Sequence, residues 1–187
     1  MNNNIYPSLE DVLQRVTTAI VNLYRYDQEL LEVDANERSI THKLAEHLQK
    51  EFPEWNVDCE YNRRGFDKKK LLEILNISSP IEINSPDDTE ARTVFPDIIV
   101  HKRITPINLL VIEVKKDNND DSTIDIQKLM AFGQDQNYCY RFGLFVRLGI
   151  SGCKEVRLFR EGEEMQHEAS QFMGLIQENL RKLGYGG

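Results

Sequence analysis

The stretch Asn108-Leu-Leu-Val-Ile-Glu-Val-Lys115 most constrains the fold, because its apolar residues occupy both alternate sets of positions. A strand that is apolar on both sides must be covered on both sides, which places it mid-sheet with helices on each face. Glu113 and Lys115 interrupt the pattern two residues apart, so they project from one face near the strand's end. Leu110, Ile112 and Val114 point the other way. A charge at a doubly covered position needs a partner.

A second apolar run, Thr93 to His101, precedes it and reads as another strand. If the two form a hairpin turning near Ile104-Thr105, paired residue numbers sum to about 209 or 210, which sets Asp97 opposite Ile112 or Glu113. Two facing carboxylates repel each other, and a cation bound between them is the usual remedy. Oxygen ligands of this kind suit Mg²⁺ or Mn²⁺. An isolated Glu-x-Lys on a strand is commonly no more than an edge-strand charge pair. Here Pro96-Asp97 opens one apolar strand and Glu113-Val114-Lys115 closes the next, with a helix before and after the pair, which is far more specific.

The rest of the chain supplies the setting. Val12, Leu13, Val16, Ile20, Leu23 and Leu31 mark an amphipathic helix from Leu9 to Leu31. Asp34-Ala35-Asn36-Glu37 resembles a capping box, opening a helix through Ile40, Leu44 and Leu48 that stops near Pro53. Trp55 to Tyr61 reads as a strand, Asp67 to Leu75 as a short helix, Ile81 to Ile83 as extended, and Ser85-Pro86-Asp87-Asp88 as a turn. After a polar loop, Ser122 caps a helix to about Asn137, with Ile126, Leu129, Met130 and Gly133 on one side. Strands Arg141–Leu148 and Glu155–Phe159 follow, then a helix carrying Phe172, Leu175, Ile176, Leu180 and Leu183.

These residues resemble the PD-(D/E)XK nuclease superfamily, through Phe95-Pro96-Asp97-Ile98-Ile99-Val100 and Leu110-Val111-Ile112-Glu113-Val114-Lys115-Lys116. The resemblance spans roughly residues 36 to 159 and implies a restriction-endonuclease-like α/β fold, a mixed central sheet flanked by helices, here with an extra N-terminal helix. It implies that Asp97 and Glu113 hold the metal, and that Lys115 orients or deprotonates the attacking water and helps neutralise the phosphate. Many members carry a further acidic residue on the helix before the sheet. Glu37 stands there, with two readings: an additional metal ligand, or a capping-box glutamate three residues after Asp34. Many also carry a polar residue on the following helix, where Gln127 or Lys128 stands, and periodicity does not choose between them. The expected activity is Mg²⁺-dependent hydrolysis of phosphodiester bonds in DNA, as an endonuclease. Because Lys115 lies beside two carboxylates it stays charged, so positioning and electrostatic help suit it better than general-base duty.

Length and charge bound this reading. The chain's 187 residues suit one domain, with an N-terminal helical arm (1–33), a core (34–160) and a C-terminal helix (161–187). A net charge of −8 argues against coating nucleic acid nonspecifically, so any DNA contact must be local. Two basic clusters offer it: Arg63-Arg64 with Lys68-Lys69-Lys70, and His101-Lys102-Arg103. A solvated loop and a charged turn are the plain alternatives. No apolar run approaches the roughly 18 residues of a membrane span, and residues 1–7 lack a signal-like pattern, so a cytoplasmic location is expected. Three separated cysteines, Cys59, Cys139 and Cys153, read as reduced thiols. Neither a zinc motif, a P-loop nor a nucleophile elbow occurs. Two other functional classes stay open: a catalytically inactive nuclease-fold module for nucleic-acid binding or assembly, and a nuclease of defence controlled by RNA or a cyclic nucleotide. The resemblance also implies a homodimer in which two sites cut two strands, and the long N-terminal helix is a candidate interface for it.

Overall fold

A computed structural model describes residues 5–61, 63–64, 67–68, 95–117, 121–136 and 138–185, with the backbone alone at 63, 64, 67 and 68. The helices are α1 (Leu9–Tyr26), α2 (Glu29–Glu32), α3 (Glu37–Glu51), α4 (Thr123–Gln134) and α5 (Gln166–Arg181). The strands are β1 (Asn56–Cys59), β2 (Arg63–Arg64), β3 (Asp67–Lys68), β4 (Ile98–His101), β5 (Asn108–Lys116), β6 (Phe142–Gly149), β7 (Gly152–Arg160) and β8 (Glu163–Glu164). Six of the strands form a mixed sheet in the order β1-β4-β5-β6-β7-β8, in which only the β5–β6 pair is parallel among the described residues.

The parity argument for β5 holds. Leu110, Ile112 and Val114 join the large core formed with Val16, Ile20 and Leu23 of α1, Leu44 and Leu48 of α3, and Phe172 and Ile176 of α5. Val111 faces the opposite side, packed with Ile99, Phe145 and Phe159 against Ile126, Leu129 and Phe132 of α4. The sheet therefore lies between two helical layers. Glu113 and Lys115 share the parity of Val111 and so belong to the α4 side. The parallel β5–β6 pair requires a crossover, and α4 supplies it, so this helix necessarily lies over the strand that carries Glu113.

Several sequence expectations are corrected. The first helix breaks at Asp27, whose N–H bonds Leu23 O and whose carboxylate meets His47 Nε2 at 2.7 Å, before the chain resumes as α2. The helix expected as an arm is part of the main core. The capping box from Asp34 is not formed. Asn36 is the N-cap of α3, its Oδ1 accepting from Ser39 N at 2.9 Å, and Glu37 stands at the first helical position. Asp34 has left-handed φ of 54° and its carboxylate binds Lys116 instead. Ser122 makes no side-chain cap of α4; Asp121 Oδ1 accepts from Thr123 N at 3.0 Å. Asp67 and Lys68, expected to begin a helix, are extended and pair with Arg64 and Arg63. The rest of that expected helix, the pieces at 81–83 and 85–88, and the start of the strand expected from Thr93 lie outside the described residues.

One close approach fixes α4 in place. A Cβ added at Gly133 would stand 2.6 Å from the backbone nitrogen of Gly162, in the turn between β7 and β8 where Gly162 itself has φ of +80°. Alanine at 133 would gain up to about 1 kcal/mol of helix propensity. Pressing a methyl group into a backbone that cannot yield outweighs that, so Gly133→Ala is expected to lower stability by about 1–3 kcal/mol, measured by urea denaturation. An unchanged midpoint would show that α4 can slide along the sheet.

Candidate functional site

The site lies where β4 begins and β5 ends. Pairing sums to 210 along β4 and β5 (Ile98 with Ile112, Ile99 with Val111, Val100 with Leu110), and continuing it one residue brings Asp97 opposite Glu113. Asp97 precedes β4 and turns its carboxylate onto the neighbouring strand, Oδ2 accepting from Val114 N at 2.8 Å. Glu113 is fully buried. Its Oε2 accepts from Lys128 Nζ at 3.1 Å, while its Oε1 is buried with no hydrogen-bond partner.

The helices add the remaining charges. Lys128 of α4 also donates to Asp125 Oδ1 at 3.2 Å, and Asp125 Oδ2 lies 3.2 Å from Lys115 Nζ. Lys115 Nζ lies 3.3 Å from Glu37 Oε1, and Glu37 Oε2 accepts from Lys116 N at 3.2 Å. A chain of alternating charge thus runs Glu37, Lys115, Asp125, Lys128, Glu113, with Asp97 beside its end. Lys116 turns away, its Nζ bound to Asp34 and to the carbonyl of Ala35 at 2.8 Å.

Titration behaviour follows from burial and from these neighbours. Burial raises the Glu113 carboxyl well above the usual carboxylate range, and the charge of Asp97 raises it further; Lys128 opposes the shift but does not cancel it. Asp97 is raised as well, first by burial, against the pull of the Val114 N–H and of Lys128. Burial alone would lower Lys115, but Asp125 and Glu37 outweigh it and the ammonium is held more firmly than usual. Lys128 behaves likewise under Glu113 and Asp125. If all six groups were ionised, four carboxylates would face two ammoniums in a poorly hydrated place. The surplus is negative.

No family model, curated protein or solved structure matches this chain. The donors themselves therefore carry the test of whether a metal fits. Among the described residues no three His, Cys, Asp or Glu side chains stand together as a metal-binding group. Asp97 and Glu113 are a pair, both oxygen donors, with one buried oxygen unsatisfied. Mg²⁺ is commonly held by one or two carboxylates, with water and substrate phosphate completing the shell, and Asp97 and Glu113 are donors of that chemical type.

Each expected site residue can now be placed. Asp97, Glu113, Lys115, Glu37 and Lys128 converge; Gln127 is exposed on the outer side of α4 and takes no part in the network described. Glu37 reaches the site with both oxygens on protein donors, as a partner of Lys115 and Lys116. Sequence reasoning missed Asp125, which is buried and binds both lysines. The signal was available: Asp125, Lys128, Leu129 and Phe132 follow i, i+3, i+4, i+7 spacing, whereas the stripe drawn through Met130 includes a residue that is exposed.

The basic clusters are less free than their charge suggests. Lys102 Nζ donates to the carbonyl of Glu54 and lies 5.0 Å from the centre of the Trp55 ring. Arg103 holds Asp58 with two nitrogens, Nε at 2.8 Å, and His101 is buried with its Nε2 2.8 Å from the same carboxylate. Arg63, Arg64 and Lys68 lie on the β2–β3 ribbon, and Lys69 and Lys70 lie outside the described residues. Cys59, Cys139 and Cys153 are free thiols, and among the described residues no helix is long and apolar enough to cross a membrane.

Proposed function

We propose that this chain is a metal-dependent endonuclease that hydrolyses phosphodiester bonds in DNA, built on a restriction-endonuclease-like fold. The observation that carries the reading is Glu113: a fully buried carboxylate with an unsatisfied oxygen, placed by strand register beside Asp97 at the end of a central strand. Such a group is costly to a fold unless a ligand completes it.

In this reading Asp97 and Glu113 would hold Mg²⁺ or Mn²⁺, and the ion when bound would supply polarisation of the scissile phosphate and activation of water. Lys115 presents a permanent positive charge to the phosphate. Held between Glu37 and Asp125, and kept protonated by them, it acts as an electrostatic clamp rather than a base. Asp125 is a positioning residue that aligns both lysines. Glu37 does the same for Lys115 from the opposite helical layer, and its hold on Lys116 N fixes the strand end against α3. With Arg103 and Lys102 already engaged by Asp58 and Glu54, DNA contact outside the site would draw on the insert between Tyr61 and Arg92 or on the second subunit of a homodimer.

The test is incubation of the purified protein with plasmid, linear and single-stranded DNA in EDTA, Mg²⁺ and Mn²⁺, beside Lys115→Ala. Cutting is expected only with metal, reduced at least about 10²-fold in the variant, the scale of removing one preorganised transition-state donor. Cutting that survives EDTA or the substitution would sink the assignment. A second reading has one observation in its favour: Lys128 already pairs with Glu113, as it would in a catalytically inactive binding module. That reading expects DNA retention without cleavage in the same experiment.

A further inference from the structure

We propose that Lys128 is a tethered counter-ion, holding the cation position at Glu113 until a divalent metal displaces its ammonium onto Asp125. The inference rests on the reading of Asp97 and Glu113 as the metal-holding pair, and concerns how that pair is kept in the metal-free protein.

Three observations support it. The Lys128 ammonium is shared between two acceptors on different elements, Glu113 Oε2 at 3.1 Å and Asp125 Oδ1 at 3.2 Å, so it can leave one without losing both. The carboxylate it would leave still has an unpartnered oxygen in a fully buried place, which the Lys128 ammonium does not satisfy and a cation of several ligands could. The other lysine of the site is already held by Glu37 and Asp125, which leaves Lys128 as the cation paired with Glu113. A lysine is suited to this role because its charge is compact and its four-carbon stem is flexible, while the helix beneath stays pinned at Gly133.

Metal binding then has to move a like charge, so Lys128 weakens divalent affinity while stabilising the empty site. Asp125, on losing no contact and gaining the whole ammonium, is what makes the exchange reversible. The two cations are alternatives at one carboxylate.

The experiment is titration of Mn²⁺, without DNA, into the wild type, Lys128→Met, Lys128→Gln and Glu113→Gln, reading free Mn²⁺ by electron paramagnetic resonance and following thermal unfolding in parallel. Both Lys128 variants are expected to bind Mn²⁺ at least about tenfold more tightly than the wild type, the effect of removing one charge a few ångströms from a divalent ion even at water-like screening. They should also gain more thermal stability from saturating Mn²⁺. Glu113→Gln should bind weakest. If the wild type binds Mn²⁺ and the Lys128 variants bind equally or more weakly, the counter-ion proposal is overturned while the metal pair stands. If none of the four proteins binds Mn²⁺, the metal pair fails and the proposal with it. Should both Lys128 variants unfold without metal, refolding on Mn²⁺ addition supports the exchange, and failure to refold overturns it.

Discussion

Asp97→Asn is expected to give a folded protein in which DNA cleavage has fallen by at least about 10³-fold, the scale seen when a group acting as part of a catalytic unit is removed. The asparagine keeps the shape of the side chain and an oxygen to accept from Val114 N, so the strand end loses no hydrogen bond. It loses only the charge and the second anionic oxygen that a hard cation requires. Asp97→Ala removes both, and the Val114 N–H is then left without its acceptor, which costs about 1–3 kcal/mol when such a group is shielded from water. Comparing the two variants separates chemistry from architecture. Circular dichroism and urea midpoints should leave Asp97→Asn close to the wild type and Asp97→Ala below it, with plasmid cleavage lost in both. Cleavage retained by the folded Asp97→Asn protein would remove Asp97 from the metal pair.

Glu113→Gln is expected to raise the urea midpoint of the metal-free protein while abolishing cleavage. Most substitutions at a fully buried polar position destabilise, so a gain would be diagnostic. The reasoning is that the native carboxylate is buried beside Asp97 with one oxygen unpaired, so its ionised form opposes folding, whereas the neutral amide keeps a carbonyl for Lys128. The direction of the pH dependence follows. The folded-state value of Glu113 lies above the unfolded carboxyl value of about 4.3, so the native state holds this proton more tightly. The favourable contribution is complete below the unfolded value and is lost as pH rises through the folded one. The stability difference between Glu113→Gln and the wild type should therefore grow from acid toward neutral pH, then level off. Saturating Mg²⁺ should shrink it, because the ion binds the wild type more tightly than the variant. Urea midpoints across pH, with and without Mg²⁺, measure both effects. A variant less stable than the wild type at neutral pH would mean that Lys128 compensates Glu113 in full.

Part of this site was legible one strand at a time. The double parity of Asn108–Lys115 marked a central strand, the sum rule for a hairpin set Asp97 opposite Ile112 or Glu113, of which the observed register takes the second, and the two-residue period put Glu113 and Lys115 on one face. Helix faces were read less well. The stripe on α4 was drawn through Met130, which is exposed, and so passed over Asp125, a charged residue that no hydrophobic count selects. At Glu37 the acidic residue and the helix start were both recognised, but the cap was assigned two residues too early. Asn36 and Asp34 are equally good capping residues by chemistry, and the left-handed turn at Asp34 decided between them.

What the sequence determined by itself is the local part: most of the helices and strands of the main sheet and its two layers, which strand is central, and on which face its two charges stand, though not the extended pair at Asp67-Lys68 or the break at Asp27. Those properties follow from periods of 2 and 3.6 residues and from the short reach of a hairpin. Tertiary structure alone decided that Glu37 would meet Lys115 across 78 residues of chain, that Asp125 would tie two lysines together, and that Lys128 rather than Gln127 would enter the site. Each of those contacts depends on how α3 and α4 lie over the sheet. That placement is set by apolar packing against the two faces, with Gly133 admitting the turn at Gly162, and not by the charged residues that the packing brings together.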